Sequence, residues 1–371
     1  MFRVIMSLPC LLVVTRFVWP LQLPLSVKCV VTVLLLVASQ YHFWSRLSSG
    51  SVFAPEFPRP VVILFNWAFA AIFLLAGLQL LLDFGTLFAM AVHGGGVFVP
   101  DDVRYAIGTV AAAVAAIGVH QAIRVPPLRD IEIGIPGLAP PFDGYKLLHL
   151  TDLHISRLFP AAWTRAVVAR ANALGADLIV VTGDLIDGSL TMRRADVEPL
   201  RGLRAADGVI VIPGNHEYFF GYRAWMAHYA AIGMRVLEND HVVLDREGGQ
   251  LVIAGVTDLS AVHSGHPAPD LAIALKGAPK DVTVILLDHQ PREARRAAAK
   301  GVALQLSGHT HGGMVVGLDR LAARANAGYV SGRYDVDGMT LYVNNGTGLW
   351  PGFALRLGRP SELTRITLRR A

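Results

Sequence analysis

Five short polar motifs follow one another along the C-terminal two-thirds of this chain, and each carries residues that can bind a metal ion. In sequence order they are residues 152–154 (DLH), 183–187 (GDLID), 214–217 (GNHE), 288–289 (DH) and 308–311 (GHTH). Four of them directly follow apolar runs typical of buried strands (KLLHLT, DLIVVT, GVIVIP and VALQLS), and His289 follows VTVILLD. Open α/β sheets bind ligands at the carboxyl ends of their strands, so we predict one site built from all five motifs.

Carboxylate, amide and imidazole groups are the potential ligands of this site, and thiolates are excluded. The chain has two cysteines, Cys10 and Cys29, and both lie in apolar N-terminal stretches. Oxygen and nitrogen ligands without thiolate favour manganese, iron or zinc. Two such ions about 3.5–4 Å apart can clamp a phosphoryl group and lower the pKa of a bridging water to near neutrality. We therefore expect two divalent metal ions and phosphoester chemistry.

The spacing within the motifs suggests how the ligands are arranged. Residues two apart on a strand point to the same face, so Asp152 and His154 are expected to hold one ion together. His309 and His311 have the same spacing and are expected to project from one sheet edge. Motif GDLID and motif GNHE follow separate strands, whose ends can lie side by side.

The order DxH, GDxxD, GNH[D/E], a lone His and GHxH resembles that of the calcineurin-like metallophosphoesterases, over about residues 145–371. The stretches 255–258 (GVTD), 289–291 (HQP) and 308–313 (GHTHGG) resemble the branch of this family that has N-terminal transmembrane helices. The resemblance implies a sandwich of two mixed β-sheets flanked by helices. It also implies hydrolysis of a phosphomonoester or phosphodiester through a metal-bridging hydroxide.

The resemblance further implies a role for each matched residue. The implied metal ligands are Asp152, His154, Asp184, Asn215, His289, His309 and His311. Asp184 would bridge the two ions. His216 would contact the phosphate and protonate the leaving group, while Asp187 would orient His216 and raise its pKa. A carboxylate–imidazole pair of this kind suits general acid catalysis near pH 7.

Three further acidic residues are candidates to contact the substrate or to support the ligands. Glu217 ends the GNHE motif, Asp258 ends a predicted strand, and Asp288 stands where the family often has a small residue. Residues 344–345 and 353–359 in the tail also differ from the family pattern, so we assign no substrate contact there.

Alternating apolar runs and amphipathic stretches must position these motifs. We predict strands over residues 146–149, 178–182, 209–212, 242–244, 251–256, 282–287, 302–306, 341–344 and 364–368. We predict helices over residues 161–174, 222–232 and 291–300. This order favours an α/β sandwich over residues 145–371. Residues 125–144 are rich in proline and glycine and are predicted to be a linker.

Residues 1–124 are predicted to form a transmembrane helical region. The chain is 53% hydrophobic and 16% charged, whereas a typical soluble domain has about 25% charged residues. Residues 61–82 carry no charge and are long enough to cross a bilayer. The stretches 29–44 and 105–122 are further candidates, and a fourth, residues 4–19, is interrupted by a proline and an arginine. We therefore expect three or four transmembrane helices.

The arrangement of positive charges predicts a multi-pass protein of the cell membrane with a cytoplasmic C-terminal domain. With four helices, the cations on the side of that domain are Arg3, Arg46, Arg59, Arg124 and Arg129. Those on the opposite side are Arg16, Lys28 and Arg104. With three helices the domain lies on the other side. The net charge of +5 is not gathered into a basic stripe, so no nucleic-acid partner is expected.

The expected partners are the lipid bilayer and a phosphoester substrate, and the membrane anchor favours a lipid-linked or envelope substrate. Two alternatives remain open. One is a phosphodiesterase for nucleotides or cyclic nucleotides, and the other is a non-catalytic metal-binding membrane protein. His216 and Asp187 argue against the second, because a metal site kept only for structure needs no general acid.

Overall fold

The computed structural model describes residues 2–371, with side chains from residue 7 onward, and the chain divides into two compact units. The helical unit contains the described residues up to Ala122 together with Pro351–Leu355. The α/β unit contains Ile123–Trp350 and Arg356–Ala371. All five polar motifs lie in the α/β unit.

The helical unit is built from apolar segments. Its helices are α1 (Phe2–Leu12), a π-helix (Val13–Val18), α2 (Leu25–Ser39), α3 (Tyr41–Ser49), α4 (Arg59–His93) and α5 (Asp101–Ile123). Among the described residues, α4 and α5 are each long and apolar enough to cross a bilayer. Helices α2 and α3 are bent by 53° and would make a third span if they act as one. The structure therefore has two or three candidate spans.

The fourth predicted span, residues 4–19, forms α1 and the π-helix. Its part with described side chains, Ser7–Val18, is shorter than a spanning helix. The side chain of Arg3, which entered the orientation argument, lies outside the described residues.

A short segment from late in the chain packs among these helices. The Tyr41 hydroxyl donates to the carbonyl oxygen of Pro351 at 2.8 Å, and the Asn66 amide donates to the same oxygen at 3.0 Å. The Asn66 side-chain oxygen accepts from the N–H of Ala354 at 2.6 Å. The ring of Phe353 lies edge-on to that of Phe69. Pro351–Leu355 is thus held by specific hydrogen bonds as well as by apolar contact.

The described residues of the α/β unit form two six-stranded mixed sheets. The strands are β1 (Leu128–Ile135), β2 (Lys146–Leu150), β3 (Leu178–Thr182), β4 (Val209–Ile212), β5 (Arg235–Val236), β6 (Asp240–Arg246), β7 (Gly249–Gly255), β8 (Val284–Leu287), β9 (Leu304–Ser307), β10 (Gly332–Val336), β11 (Met339–Val343) and β12 (Leu363–Arg370). Sheet 1 has the order β1-β12-β2-β3-β4-β5, and sheet 2 has the order β10-β11-β9-β8-β7-β6. The predicted sandwich of two mixed sheets is confirmed.

Helices cover the connections between these strands. They are α6 (Ala161–Asn172), α7 (Leu190–Val197), α8 (Asn215–Phe219), α9 (Tyr222–Ala231), α10 (Leu271–Ala274), α11 (Ala294–Ala298) and α12 (Asp319–Ala325). Short 3-10 turns stand at Pro140–Phe142, Glu198–Gly202, Leu259–Ser264, Pro291–Glu293 and His311–Gly313. The predicted helix over residues 291–300 is therefore a 3-10 turn followed by α11.

The core lies between the two sheets. Leu147 and Val180 of sheet 1 pack in one cluster with Ile285, Leu306 and Tyr342 of sheet 2, and each of these residues is at most 1% exposed. Burial on this scale is the main stabilising term of such a sandwich. It gives the sheets a rigid frame whose strand ends carry the polar motifs.

The stretch predicted to be a linker contains a strand of sheet 1. Strand β1 pairs in parallel with β12 along its whole length, from Leu128 with Leu363 to Ile135 with Arg370. Within it, Ile133 and Ile135 are fully buried. The two isoleucines alternate with polar or small residues, so the period-two signal was present inside a segment whose prolines and glycines suggested a loop. This part of the stretch belongs to the fold.

Candidate metal centre

The polar motifs meet because the strands that precede them run parallel. Strands β2, β3 and β4 are parallel neighbours in sheet 1, as are β8 and β9 in sheet 2. Their carboxyl ends therefore lie on one edge of each sheet, where the chain leaves the strand and enters a motif. The connecting loops turn the ligand-type side chains inward from both sheets.

The backbone of the ligand-type residues differs from the predicted strand geometry. Strand β2 ends at Leu150, so Asp152 and His154 do not alternate along a strand. The residues with left-handed backbone are Asp152 (φ 50°), His154 (φ 46°), Asp184 (φ 54°), His309 (φ 70°) and His311 (φ 51°). Such conformations cost of order 1–3 kcal/mol each and cluster at functional sites, where the surroundings enforce them. The expected reason for the pairing was wrong, although Asp152 and His154 do lie together.

One group of donors contains Asp152, His154 and His311. The Nε2 atoms of His154 and His311 are 3.2 Å apart. The Oδ1 atom of Asp152 lies 3.9 Å from the first of these atoms and 3.7 Å from the second. All three ligand atoms lie within 4.8 Å of one another, and all three residues are buried.

A second group contains Asp184, His289 and His309, whose ligand atoms also lie within 4.8 Å of one another. The Nε2 atom of His289 is 3.3 Å from Oδ2 of Asp184. Asn215 faces this group, with its Oδ1 atom 3.1 Å from Nε2 of His289 and 2.9 Å from Nδ1 of His309. The histidines of the GHTH motif thus enter different groups.

Asp184 belongs to the second group and also faces the first, and it forms a third, overlapping group with His154 and His216. Its Oδ2 atom is 3.9 Å from Nε2 of His154 and 3.3 Å from Nε2 of His289. Its Oδ1 atom accepts a hydrogen bond from the backbone N–H of His216 at 2.8 Å. One oxygen therefore faces both donor groups while the other is held by the chain.

Further hydrogen bonds orient the imidazoles. Nδ1 of His154 lies 3.1 Å from Oδ2 of Asp187, and Nδ1 of His289 lies 2.7 Å from the carbonyl oxygen of Thr182. An N–H at each Nδ1 leaves a lone pair on Nε2, the atom that faces the donor groups. Metal-binding histidines are typically oriented in this way by a carboxylate or a carbonyl. The residues therefore fit a pair of divalent ions.

Asp187 serves two histidines rather than the one predicted. Its Oδ1 atom is 2.5 Å from Nδ1 of His216, and its Oδ2 atom contacts His154. Burial would lower the pKa of His216, but the carboxylates of Asp184 and Asp187 outweigh it and raise this pKa to about 9. The structure thus places the His216 imidazole beside the donor groups and links it through Asp187 to His154, a metal-type histidine.

Protons compete with metal ions at the other buried groups. Burial raises the pKa of Asp152. Burial also opposes the charged form of His289, but the neighbouring Asp184 raises its pKa well above the ordinary value. Burial and the charge on His289 lower the pKa of His309 to about 3, and burial lowers the pKa of His311. Metal binding would therefore be coupled to proton release.

Glu217 and Asp258 are supporting residues in this structure. The fully buried carboxylate of Glu217 accepts from the backbone N–H groups of Asp184, Leu185 and Gly214 at 2.8–3.0 Å. It therefore ties the GDLID loop to the GNHE turn. Asp258 is 1% exposed and accepts both from the N–H of Ser260 and from the side-chain amide of Gln290, next to His289.

Asp288 does not join either donor group among the described residues. It lines a cavity of about 370 Å³ together with Val256, Leu286, Glu293 and Arg296. Burial and the nearby charge of Asp258 raise its pKa to about 8. The structure therefore places this candidate beside the site rather than in it.

Two motif glycines allow the backbone to approach the ligands closely. A Cβ atom on Gly214 would lie 2.3 Å from Oδ1 of Asp184. A Cβ atom on Gly308 would lie 2.2 Å from the hydroxyl of Thr151 and 2.3 Å from Oδ2 of Asp152. Neither space admits a side chain, which explains why the GNHE and GHTH motifs begin with glycine.

Arg356 supports the site and was not predicted. Its side chain is 1% exposed and donates to the carbonyl oxygens of His311 at 3.1 Å, Asn345 at 2.6 Å and Gly348 at 3.0 Å. Residues 353–359 differ from the family pattern, which singles out this segment in the sequence. That difference does not indicate which carbonyl oxygens Arg356 binds.

Known proteins share the region that contains these motifs. A family model described as "Calcineurin-like phosphoesterase" matches residues 145–313, a range that includes all five motifs. A Danio rerio protein named "Transmembrane protein with metallophosphoesterase domain" is 31% identical over 271 residues, covering 71% of this chain and 62% of that protein. "Uncharacterized metallophosphoesterase YkuE" of Bacillus subtilis is 32% identical over 236 residues, covering 62% of this chain and 80% of that protein.

The similarity covers part of the related proteins. The chain spans about six-tenths of the length of the Danio rerio protein. Among solved structures, a 5'-nucleotidase precursor from Thermus thermophilus aligns at 17% identity with a TM-score of 0.39, covering 61% of this chain and 54% of that one. A score of this size carries no argument about activity.

Proposed function

This chain belongs to the calcineurin-like phosphoesterase family, and on that premise we propose that it hydrolyses a phosphomonoester or phosphodiester with two divalent metal ions. The observation that carries the proposal is the set of donor groups around Asp184, whose Oδ2 atom faces Nε2 of His154 in one group and Nε2 of His289 in another. The imidazole of His216, held by the carboxylate of Asp187, stands beside them. A metal-storage site would need the first feature but not the second.

We assign the ligands from the contacts around each group. Asp152, His154 and His311 would hold one ion, and Asp184 would share it with the second. The second ion would also be held by Asn215, His289 and His309. Two bound ions would supply Lewis-acid stabilisation of the phosphoryl oxygens and activation of water as the nucleophile.

His216 would act as the general acid. Its Nδ1 atom is occupied by Asp187, so its Nε2 atom faces the donor groups, 3.9 Å from Oδ2 of Asp184. With a pKa of about 9, this imidazole holds a proton at neutral pH and can donate it to the leaving oxygen. Phe219 lies beside it, with ring centroids 5.3 Å apart, and limits the space on that side.

The helical unit supports a substrate in or at a membrane. Helices α4 and α5 are of spanning length and composition, so the enzyme would be a multi-pass membrane protein. We infer a lipid-linked or envelope phosphoester as substrate and a cytoplasmic position for the α/β unit. The metals would be manganese, iron or zinc, the ions that this set of oxygen and nitrogen ligands favours.

Activity on simple esters tests the core of this proposal. Full-length protein in lipid nanodiscs, loaded in turn with Mn²⁺, Fe²⁺ and Zn²⁺, should hydrolyse bis-p-nitrophenyl phosphate or p-nitrophenyl phosphate. Asp184→Asn should reduce turnover by at least about a hundredfold, because metal ions contribute several kcal/mol to such reactions. Asp337→Asn, which changes an exposed aspartate in the β10–β11 turn, is the matched control.

Two outcomes would point elsewhere. Metal-loaded protein that hydrolyses neither ester, with Asp184→Asn changing thermal stability alone, would indicate a non-catalytic metal-binding protein. A strong preference for free nucleotides or cyclic nucleotides over lipid-linked phosphates would replace the proposed substrate class. Metal analysis of the protein as purified would identify the ions.

A further inference from the structure

The α/β unit exposes several large apolar side chains around the metal centre. Among its described residues, those most exposed are Met192, Phe219, Val262, Ile273, Val316, Leu318 and Leu321, at 39–62%. Five of them form a set that we call the apolar rim: Phe219, Val262, Val316, Leu318 and Leu321. Exposed apolar patches beside a site mark contact with another molecule or with a membrane.

The rim has two sides, and each is attached to the site by short stretches of chain. Phe219 follows His216 by three residues and contacts its ring. The 3-10 turn that carries Val262 packs against α8, which carries Phe219. On the other side, Val316 follows His311 by five residues. His216 and His311 both flank His154, with ring centroids 4.7 and 5.0 Å away, so the two sides border one centre.

The second side of the rim is the start of helix α12 and the residues just before it, where the large apolar side chains are exposed. Every residue of α12 is described, and none of them is buried. Leu318 and Leu321 are three apart and share a face, with 50% and 60% exposure. Arg320 and Arg324, four apart, are exposed on the other face. Yet the helix is firmly placed, since a Cβ atom on Gly313 would lie 2.3 Å from Cα of Asp319.

This combination is typical of a segment that lies in a membrane interface. Apolar side chains enter the boundary between headgroups and acyl chains, and arginines beside them contact anionic headgroups. The chain also carries its own membrane-type helices, and only four residues separate Ile123 at the end of α5 from Leu128 at the start of β1. A bilayer that holds α5 is therefore available to the α/β unit.

We propose that the apolar rim docks on the surface of the bilayer that holds the chain's own helices, with Arg320 and Arg324 on anionic headgroups. A phosphoester at the depth of the headgroups would then enter the metal centre without leaving the membrane. The docking stands on the exposed residues, whereas its consequence for the substrate rests on the proposed function.

Lipid quenching tests the docking without any need for activity. The full-length chain, with Cys10 and Cys29 replaced by serine, would carry Leu321→Cys labelled with the fluorophore NBD. Ile273→Cys is the matched control, since Ile273 is 57% exposed and outside the rim. In nanodiscs with about a third anionic lipid, doxyl-labelled lipids should quench the label at position 321 and leave that at 273 unchanged. Equal quenching, or none at position 321, would overturn the docking.

A second copy of the chain is the alternative partner for the apolar rim. If a second copy covered the rim, the NBD emission at position 321 would shift to the blue as protein per disc increases, without quenching by doxyl lipids. That result would refute the membrane contact.

Kinetics then test the consequence for substrate. The double variant Leu318→Asp/Leu321→Asp should keep its activity on soluble bis-p-nitrophenyl phosphate and lose at least tenfold in kcat/KM on a phosphoester lipid in the same bilayer. Ile273→Asp should change neither value. An equal loss on both substrates, or no loss on the lipid, would refute the role of the rim. If the chain hydrolyses neither ester, the proposed function is wrong. The difference in quenching between the labels at positions 321 and 273 still tests the docking by itself.

Discussion

Replacing Asp187 by asparagine separates the two histidines that this carboxylate holds. In the native protein both Asp187 oxygens accept from an imidazole Nδ1, at 3.1 Å for His154 and 2.5 Å for His216. An amide has one accepting oxygen and one donating nitrogen. It can therefore keep one histidine in its native tautomer and forces the other to place its proton on Nε2.

The size of the effect follows from which tautomer is lost. An N–H at Nε2 of His154 would point at the group that contains Asp152 and His311, where we propose that an ion binds. Loss of a supporting partner typically costs 10- to 100-fold in metal affinity, which is about 1.4–2.7 kcal/mol. Asp187→Asn should therefore weaken one metal site by this factor if the amide oxygen stays with His216, and should reduce kcat whichever histidine it serves.

A second variant separates the two roles of Asp187. His216→Gln leaves the bond between Asp187 and His154 intact, so it should reduce turnover by about 10²–10⁴-fold, the contribution of a general acid. Its metal affinities should stay near those of the native protein. Calorimetric titration of the metal-free protein with Mn²⁺ measures both affinities. Native metal affinities together with native turnover in Asp187→Asn would refute this prediction, as would a His216→Gln variant that weakens metal binding equally.

Three further predictions concern residues that support the site. Glu217→Gln should lower the free energy of unfolding by about 2–4 kcal/mol, measured with urea, because the amide cannot accept from three backbone N–H groups as the carboxylate does. Full stability would show that these bonds are dispensable. His149 is fully buried, and burial lowers its pKa to about 3, so its contribution is complete above pH 6.5 and is lost as the pH falls toward 3. Between pH 6 and 4 the native protein should lose about 1.4 kcal/mol per pH unit more than His149→Gln, and parallel pH profiles would contradict this. Arg356→Met should release four carbonyl oxygens, that of His311 among them, and weaken metal binding at His311 by about tenfold. Unchanged calorimetric titrations would show that Arg356 does not support the ligand.

The strands that precede the motifs could be predicted from the sequence because they are buried on both faces. Strands β3 and β4 were predicted with their observed bounds, since a central parallel strand is a continuous apolar run between turn residues. Strand β1 was missed because its partner, β12, lies more than 200 residues later in the chain. The sequence near β1 does not reveal this partner, and the prolines and glycines around the strand indicated a loop despite its period-two pattern.

The site was predictable in its residue types but not in its backbone. The motif order placed the ligand-type residues at strand ends, and the structure brings all of them together. The left-handed conformations of Asp152 and His154 could not be predicted, because neither is glycine and their strain is enforced by surrounding contacts. The second partner of Asp187 was missed for the same reason, since it depends on how the Asp152–His154 loop folds back.

Some motif residues constrain the backbone around the ligands and do not bind metal themselves. In GNHE, Gly214 lets the chain pass within van der Waals distance of Asp184, and Glu217 closes the turn by accepting N–H groups from both loops. Neither residue is in a donor group. Their effect is to hold Asp184 at φ 54°, a conformation that costs free energy in isolation. A ligand held in this way needs little rearrangement when an ion binds, so changes at Glu217 should affect metal affinity even though its oxygens never contact the metal.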